Sequence, residues 1–166
     1  MLEPKPISRE SLPLALERAW RYRMLNEPHE AESICLDILA VDPGHQDTLV
    51  TLILALTDQF PRQRKGLLGA AQARLAQLTD EYSRLYYGGI ILERAAKARF
   101  WRREPGCGAA VHEHLRQALS LFERAAALRT AGNDEALLRW NTCARLLNEH
   151  PEIRPDEEAR QQEMLE

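Results

Sequence analysis

The segment Glu30–Leu49, EAESICLDILAVDPGHQDTL, carries apolar residues at helical spacing as far as Val41, breaks at Asp42-Pro43-Gly44, and resumes helical spacing at once. Proline lacks the N–H that a continuing helix needs, and its ring clashes with the preceding turn, so the helix must stop there. Two amphipathic helices joined by so short a connection lie side by side and antiparallel. Similar stops recur at Asn26 and Pro28, at Pro61, at EPGCG (104–108) and at Gly132-Asn133-Asp134. A chain punctuated in this way folds as a succession of helical hairpins.

The spacing predicts seven helices. Ser8 is placed to cap the first, over about 9–26, with Leu12, Leu16, Ala19, Tyr22 and Met24 or Leu25 on one face. Asn26 suits a left-handed stop, and Pro28 suits the first turn of a second helix over about 28–41. A third over about 45–59 carries Leu49, Leu52, Ile53 and Leu56, and the loop PRQRKG leads to a fourth over about 65–78. Thr79-Asp80-Glu81 offers a cap and acidic first turn to a long fifth helix, about 80–102. The sixth and seventh follow at about 109–130 and 134–148. No stretch has the alternation of a strand, and 8 glycines are too few for a turn-rich β fold. The fold class is all-α, one domain over 1–150, followed by a charged tail, 151–166, that is frayed or disordered.

Composition narrows the function classes. The opening MLEPKPISRE lacks an apolar run, and no apolar stretch approaches the roughly 20 residues that span a bilayer, so a soluble, cytoplasmic protein without membrane contact is expected. The 3 cysteines, Cys35, Cys107 and Cys143, are odd in number and form no CxxC, which argues against a disulfide framework and for small core residues. Net charge is −3, yet residues 61–103 hold ten Lys or Arg against Asp80, Glu81 and Glu93, a local +7 that leaves −10 elsewhere. That asymmetry points to a partner of one sign, or to solvated helix faces.

Ala19 and Tyr22 are spaced as small-x-x-Tyr, Ala31 follows Ala19 by twelve residues, and Pro43 follows Ala31 by twelve. This pattern resembles the tetratricopeptide repeat, a unit of 34 residues with small-x-x-Tyr in its first helix, Ala-x-x-x-Phe in its second and a closing proline. Cys35 stands where the second-helix aromatic would be. Residues 46–79 have about the length of another repeat, with Asp80 in place of the proline, and Ala118-x-x-x-Phe122-x-x-Ala125 repeats the second-helix pattern. Its partner position falls on Gly89, 29 residues earlier instead of 12, so the fifth and sixth helices would be extended, with EPGCG at their tip. The resemblance implies stacked antiparallel hairpins, a short α-solenoid in which no hairpin buries its apolar face alone and the first helix of each pair lines a concave wall.

On that register the wall would receive Leu16, Trp20, Arg23 and Met24 from the first helix, and Val50, Leu54 and Asp58 from the third. Tyr86, Ile90 and Arg94 would come from the fifth, and Trp140, Ala144 and Asn148 from the seventh. Of these, Leu16, Trp20, Arg23, Leu54, Tyr86, Ile90, Arg94 and Trp140 are the candidate partner-binding residues; the aromatics supply contact area and the arginines select carboxylates. Aromatics at helical spacing serve equally as core. The clamp of Lys, Asn and Arg by which some members of the family hold a peptide carboxylate is absent, since Leu16, Trp20 and Thr51 occupy its places.

Other chemistry is thinly represented. RAAKARFWRR, 94–103, interleaves five cations with Phe100 and Trp101, which suits phosphates and stacked bases or an acidic partner, and equally a solvated helix end. Cys107, His112 and His114 fall short of a metal set, because residues two apart on a helix diverge. No nucleophile elbow, phosphate loop or dinucleotide fingerprint is present. The sequence therefore reads as a scaffold without enzymatic activity or cofactor that binds a protein or peptide in a groove; the alternatives are a nucleic-acid or acidic-ligand binder using 61–103 and a homo-oligomeric structural module.

Overall fold

The computed structural model describes residues 2–62 and 65–155. Among them the chain is all-helical, with seven α-helices, two short 3-10 turns and no strand. It divides into two compact units, Met1–Asp80 and Glu81–Glu166.

The first unit contains α1 (Leu12–Met24), α2 (Pro28–Val41), α3 (Gln46–Asp58) and α4 (Leu67–Leu75). Here α1 packs on α2, α2 on α3 and α3 on α4, and α1 also touches α3. The first helical turn is a 3-10 turn, Arg9–Ser11, because Pro13 sits in the opening turn of α1. The expected cap from the Ser8 side chain is not made; its carbonyl accepts from the Ser11 hydroxyl at 2.8 Å instead. At the other end Asn26 takes φ +60° as expected. The Glu27 N–H reaches the Tyr22 carbonyl at 2.9 Å and the Asn26 N–H the Arg23 carbonyl at 3.0 Å, a Schellman closure that satisfies two of the last carbonyls.

The stop at Asp42-Pro43-Gly44 works through Asp42. Its N–H still completes the last turn of α2 on the Ile38 carbonyl, while its Oδ1 accepts from the Gly44 N–H at 3.3 Å. His45 then caps α3, its Nδ1 accepting from the Thr48 N–H at 3.3 Å, which places the ring proton on Nε2. Gln46 ties this corner to the end of α4: its Oε1 accepts from the Thr79 N–H at 2.9 Å and its Nε2 donates to the Gly44 carbonyl at 2.9 Å. Thr79, expected as the cap of the fifth helix, turns its hydroxyl back to Gln46 at 3.2 Å instead. The helix α4 ends at Leu75 and not at 78, and tight turns follow, the Gln77 N–H donating to the Arg74 carbonyl and the Leu78 N–H to the Leu75 carbonyl.

The second unit is a long hairpin, α5 (Glu81–Trp101) and α6 (Gly108–Ala127), with α7 (Glu135–Glu149) packed on both. Its helices cross where Gly89 leaves room for a ring. A Cβ built on Gly89 would lie 2.5 Å from Phe122 Cε1, and Phe122 is fully buried. Ala118 and Ala125, one turn to either side of Phe122, are also sealed from solvent. Gly132, at φ +84°, opens the turn into α7, where Asn133 Oδ1 accepts from the Glu135 N–H and the Asp134 side chain makes no capping bond.

The core extends past α7. Ile153, which falls in the tail expected to fray, is buried, and its N–H donates to the His150 carbonyl at 2.9 Å. Residues 156–166 of that tail, and Arg64 of the basic region, lie outside the described residues. None of the described helices is long and apolar enough to cross a membrane.

The contact at Gly89 predicts an inversion of the usual rule. In a helix interior, Gly→Ala gains about 1 kcal/mol of propensity. Gly89→Ala should instead lower the unfolding free energy by about 1–3 kcal/mol through overpacking against Phe122, as read by urea denaturation. A raised midpoint would show that the ring moves aside freely.

Candidate functional site

In the first unit, α1 and α3 bring together most of the residues that the helical register places on one wall. Leu16, Trp20, Arg23 and Met24 follow one another along one face of α1, and Val50, Leu54 and Asp58 along one face of α3. The two faces are joined by an ion pair across 35 residues of sequence, with Arg23 Nε 2.8 Å from Asp58 Oδ2. The Arg23 guanidinium carbon also sits 5.2 Å from the centroid of the Trp20 ring, within cation–π range. Trp20 is thereby held in place while 41% exposed, and Met24, one turn on, is 86% exposed. Leu16, Val50 and Leu54 are half-buried.

This corrects the role expected for Arg23. Its side chain is only 12% exposed and already engaged, so it positions the indole and is not a free cation for a partner's carboxylate.

The second unit distributes its candidates differently. Ile90 is 2% exposed and cannot offer contact area; it is a core residue. Tyr86 is half-buried, stacks on Tyr82 with centroids 5.8 Å apart, and leans on Phe122 at 6.0 Å, against the cluster of Leu85, Ala125, Ala126 and Ala136. Burial pushes its hydroxyl up to about 12. Arg94 is half-buried. Trp140 lies at the margin of exposure, at 36%.

The basic segment at the end of α5 is largely neutralised within the unit. Lys97 donates to Glu93, and Arg99 and Arg102 both donate to Glu104, at 2.9 Å and 2.6 Å. The hydrogen bond from Arg102, followed by that from Arg99, holds the Glu104 carboxyl below the usual carboxylate range. Glu93 is fully buried, and Arg139 Nε of α7 lies 3.1 Å from its second oxygen, close enough for an ion pair though not aligned as a hydrogen bond. No signal in the sequence links Glu93 to Arg139, which stand 46 positions apart.

Phe100 and Trp101 form a cluster with His150, which sequence spacing does not associate with them. The ring centroids are 4.8 Å apart for Phe100–Trp101, 4.7 Å for Phe100–His150 and 5.8 Å for Trp101–His150. Cys35 and Cys143 are buried, and burial pushes both thiols up to about 12, so they stay protonated at neutral pH. Cys107 is half-buried at the start of α6. Among the described residues no three His, Cys, Asp or Glu side chains converge as a metal site. No protein-family model, curated protein or solved structure gives a significant match to this chain.

The α1–α3 bridge can be tested on its own. Arg23→Gln should lower the unfolding free energy by about 2 kcal/mol, between the roughly 1 kcal/mol of an exposed pair and the roughly 3 kcal/mol of a buried one. It should also broaden the Trp20 side-chain resonances as the indole loses its rest. A stable variant with an unchanged Trp20 signal would mean that the pair organises nothing.

Proposed function

We propose that the chain is a non-enzymatic helical scaffold of tetratricopeptide type whose α1 face binds a protein partner, an amphipathic helix or an extended peptide. The single observation that carries this reading is the state of Trp20 and Met24: two large apolar side chains one turn apart, exposed, with the indole braced by the Arg23–Asp58 pair. An ordered, solvent-facing tryptophan offers contact area at little entropic cost to a binder. The repeat reading is supported by Ala19 and Ala31, both sealed from solvent on adjacent helices, by the contact of α1 with α3, and by the fit of Phe122 against Gly89.

Recognition on this face would be mainly apolar, with Arg23 acting through Trp20. An acidic or nucleic-acid partner for residues 61–103 has less support, because Lys97, Arg99 and Arg102 are already paired with carboxylates. A location in the cytoplasm fits the reading and remains part of the proposal.

Affinity capture from native lysate with quantitative mass spectrometry tests it. The double variant Trp20→Ala, Met24→Ala should lose at least about tenfold in capture of the retained proteins with its melting temperature nearly unchanged. Tyr86→Ala should instead lower the melting temperature. Identical retention by the wild-type chain and the double variant would refute a docking role for α1.

A further inference from the structure

A second feature, independent of the α1 face, lies wholly within the second unit. Where α5 ends, a half-open hollow of about 550 Å³ is lined by the rings of Phe100, Trp101 and His150, by Arg103, and by Glu104 and Glu152. This volume falls within the roughly 300–1,000 Å³ of small-molecule sites. We propose that the hollow binds a small monocarboxylate carried on a flat aromatic body.

The apolar wall is built to stay in place. Its three rings meet edge to face, at interplanar angles of 62°, 66° and 87°, so each fixes the others, yet Trp101 remains 63% exposed. An indole so placed presents a rigid face on which a second ring can stack. The rest of the lining depends on two left-handed residues, Arg103 at φ +53° and Gly106 at φ +70°, which turn the chain sharply into α6. It also depends on Gly108, where a Cβ would come within 2.5 Å of the Glu152 carbonyl and displace the segment after α7.

The charges define the sign of the ligand. Glu104 is occupied by Arg99 and Arg102, and the Glu152 carboxylate by His150 Nδ1 at 3.1 Å. Arg103 is exposed, and its guanidinium makes no ion pair or hydrogen bond among the described residues. The first turn of α6 holds no acidic side chain, and Cys107 makes no capping bond, so its amide groups add positive potential at the rim. A guanidinium without a partner among the described residues matches one carboxylate in a two-point fork. An organic cation would meet repulsion from Arg103.

The test uses the full chain and follows the indole N–H resonance of Trp101, assigned by its loss in Trp101→Phe. Indole-3-acetate should shift this signal saturably, and the neutral isostere indole-3-acetamide should bind at least about tenfold more weakly. Arg103→Asn should weaken indole-3-acetate by a similar factor, since asparagine accepts the left-handed backbone while removing the charge. The amide probe examines the same contact on the unaltered chain, so the outcome does not hinge on how the variant folds. No saturable shift, equal binding of acid and amide, or tighter binding of benzyltrimethylammonium than of the acid would each overturn the proposal.

Discussion

Two helices can approach closely only where their facing positions carry little more than a methyl group, and both units of this chain depend on that condition. In the first, Ala19 of α1 and Ala31 of α2 are sealed from solvent. In the second, Gly89 goes further and has no side chain at all, because the partner helix places the Phe122 ring where a Cβ would be. Small residues of this kind permit interdigitation at native packing density, and overpacking there is as damaging as a void. The turns then need only reverse the chain, which Asn26, Asp42 and Gly132 do with local hydrogen bonds and left-handed backbone.

Once the helices are set close, the polar groups between them have to be matched, and this decides what is left for a partner. Gln59, buried at the end of α3, donates to Glu32 of α2 at 2.7 Å and to the Ala55 carbonyl at 3.1 Å. Glu93 is held between Lys97 and Arg139, and Glu104 between Arg99 and Arg102. A cation count along the sequence therefore overstates the positive surface at the end of α5. Among the large apolar side chains left exposed are Trp20 and Met24 in one unit and Trp101 in the other, and Arg103 lines the same hollow as Trp101.

The helices were legible in the sequence because their ends are written in local chemistry. Pro28 to Val41 is found as expected, and the long α5 and α6 follow from the stretched distance between Gly89 and Ala118. The repeat pattern set Gly89 at a small position opposite the helix of Ala118, and the structure places the Phe122 ring of that helix against it. Long-range polar choices were not legible. Nothing in the spacing shows that Thr79 answers to Gln46, that Arg23 is spent on Asp58, or that His150 completes an aromatic wall with Phe100. Tyr86 and Ile90 share the periodicity of a surface stripe and of a core stripe alike, and only the packing of α6 and α7 separates the two uses. The His45 cap escaped notice because histidine is a rare choice at a position where serine, threonine and asparagine dominate.

The claim that hairpin crossings require short side chains is tested most directly by comparing two substitutions of one chemistry on one helix. Ala31→Leu enlarges the sealed position of α2, and Ala40→Leu enlarges an exposed one. In urea denaturation, Ala31→Leu should lose about 1–3 kcal/mol through overpacking, while Ala40→Leu should stay within about 0.5 kcal/mol of the parent. Equal stability of the two variants would contradict the account.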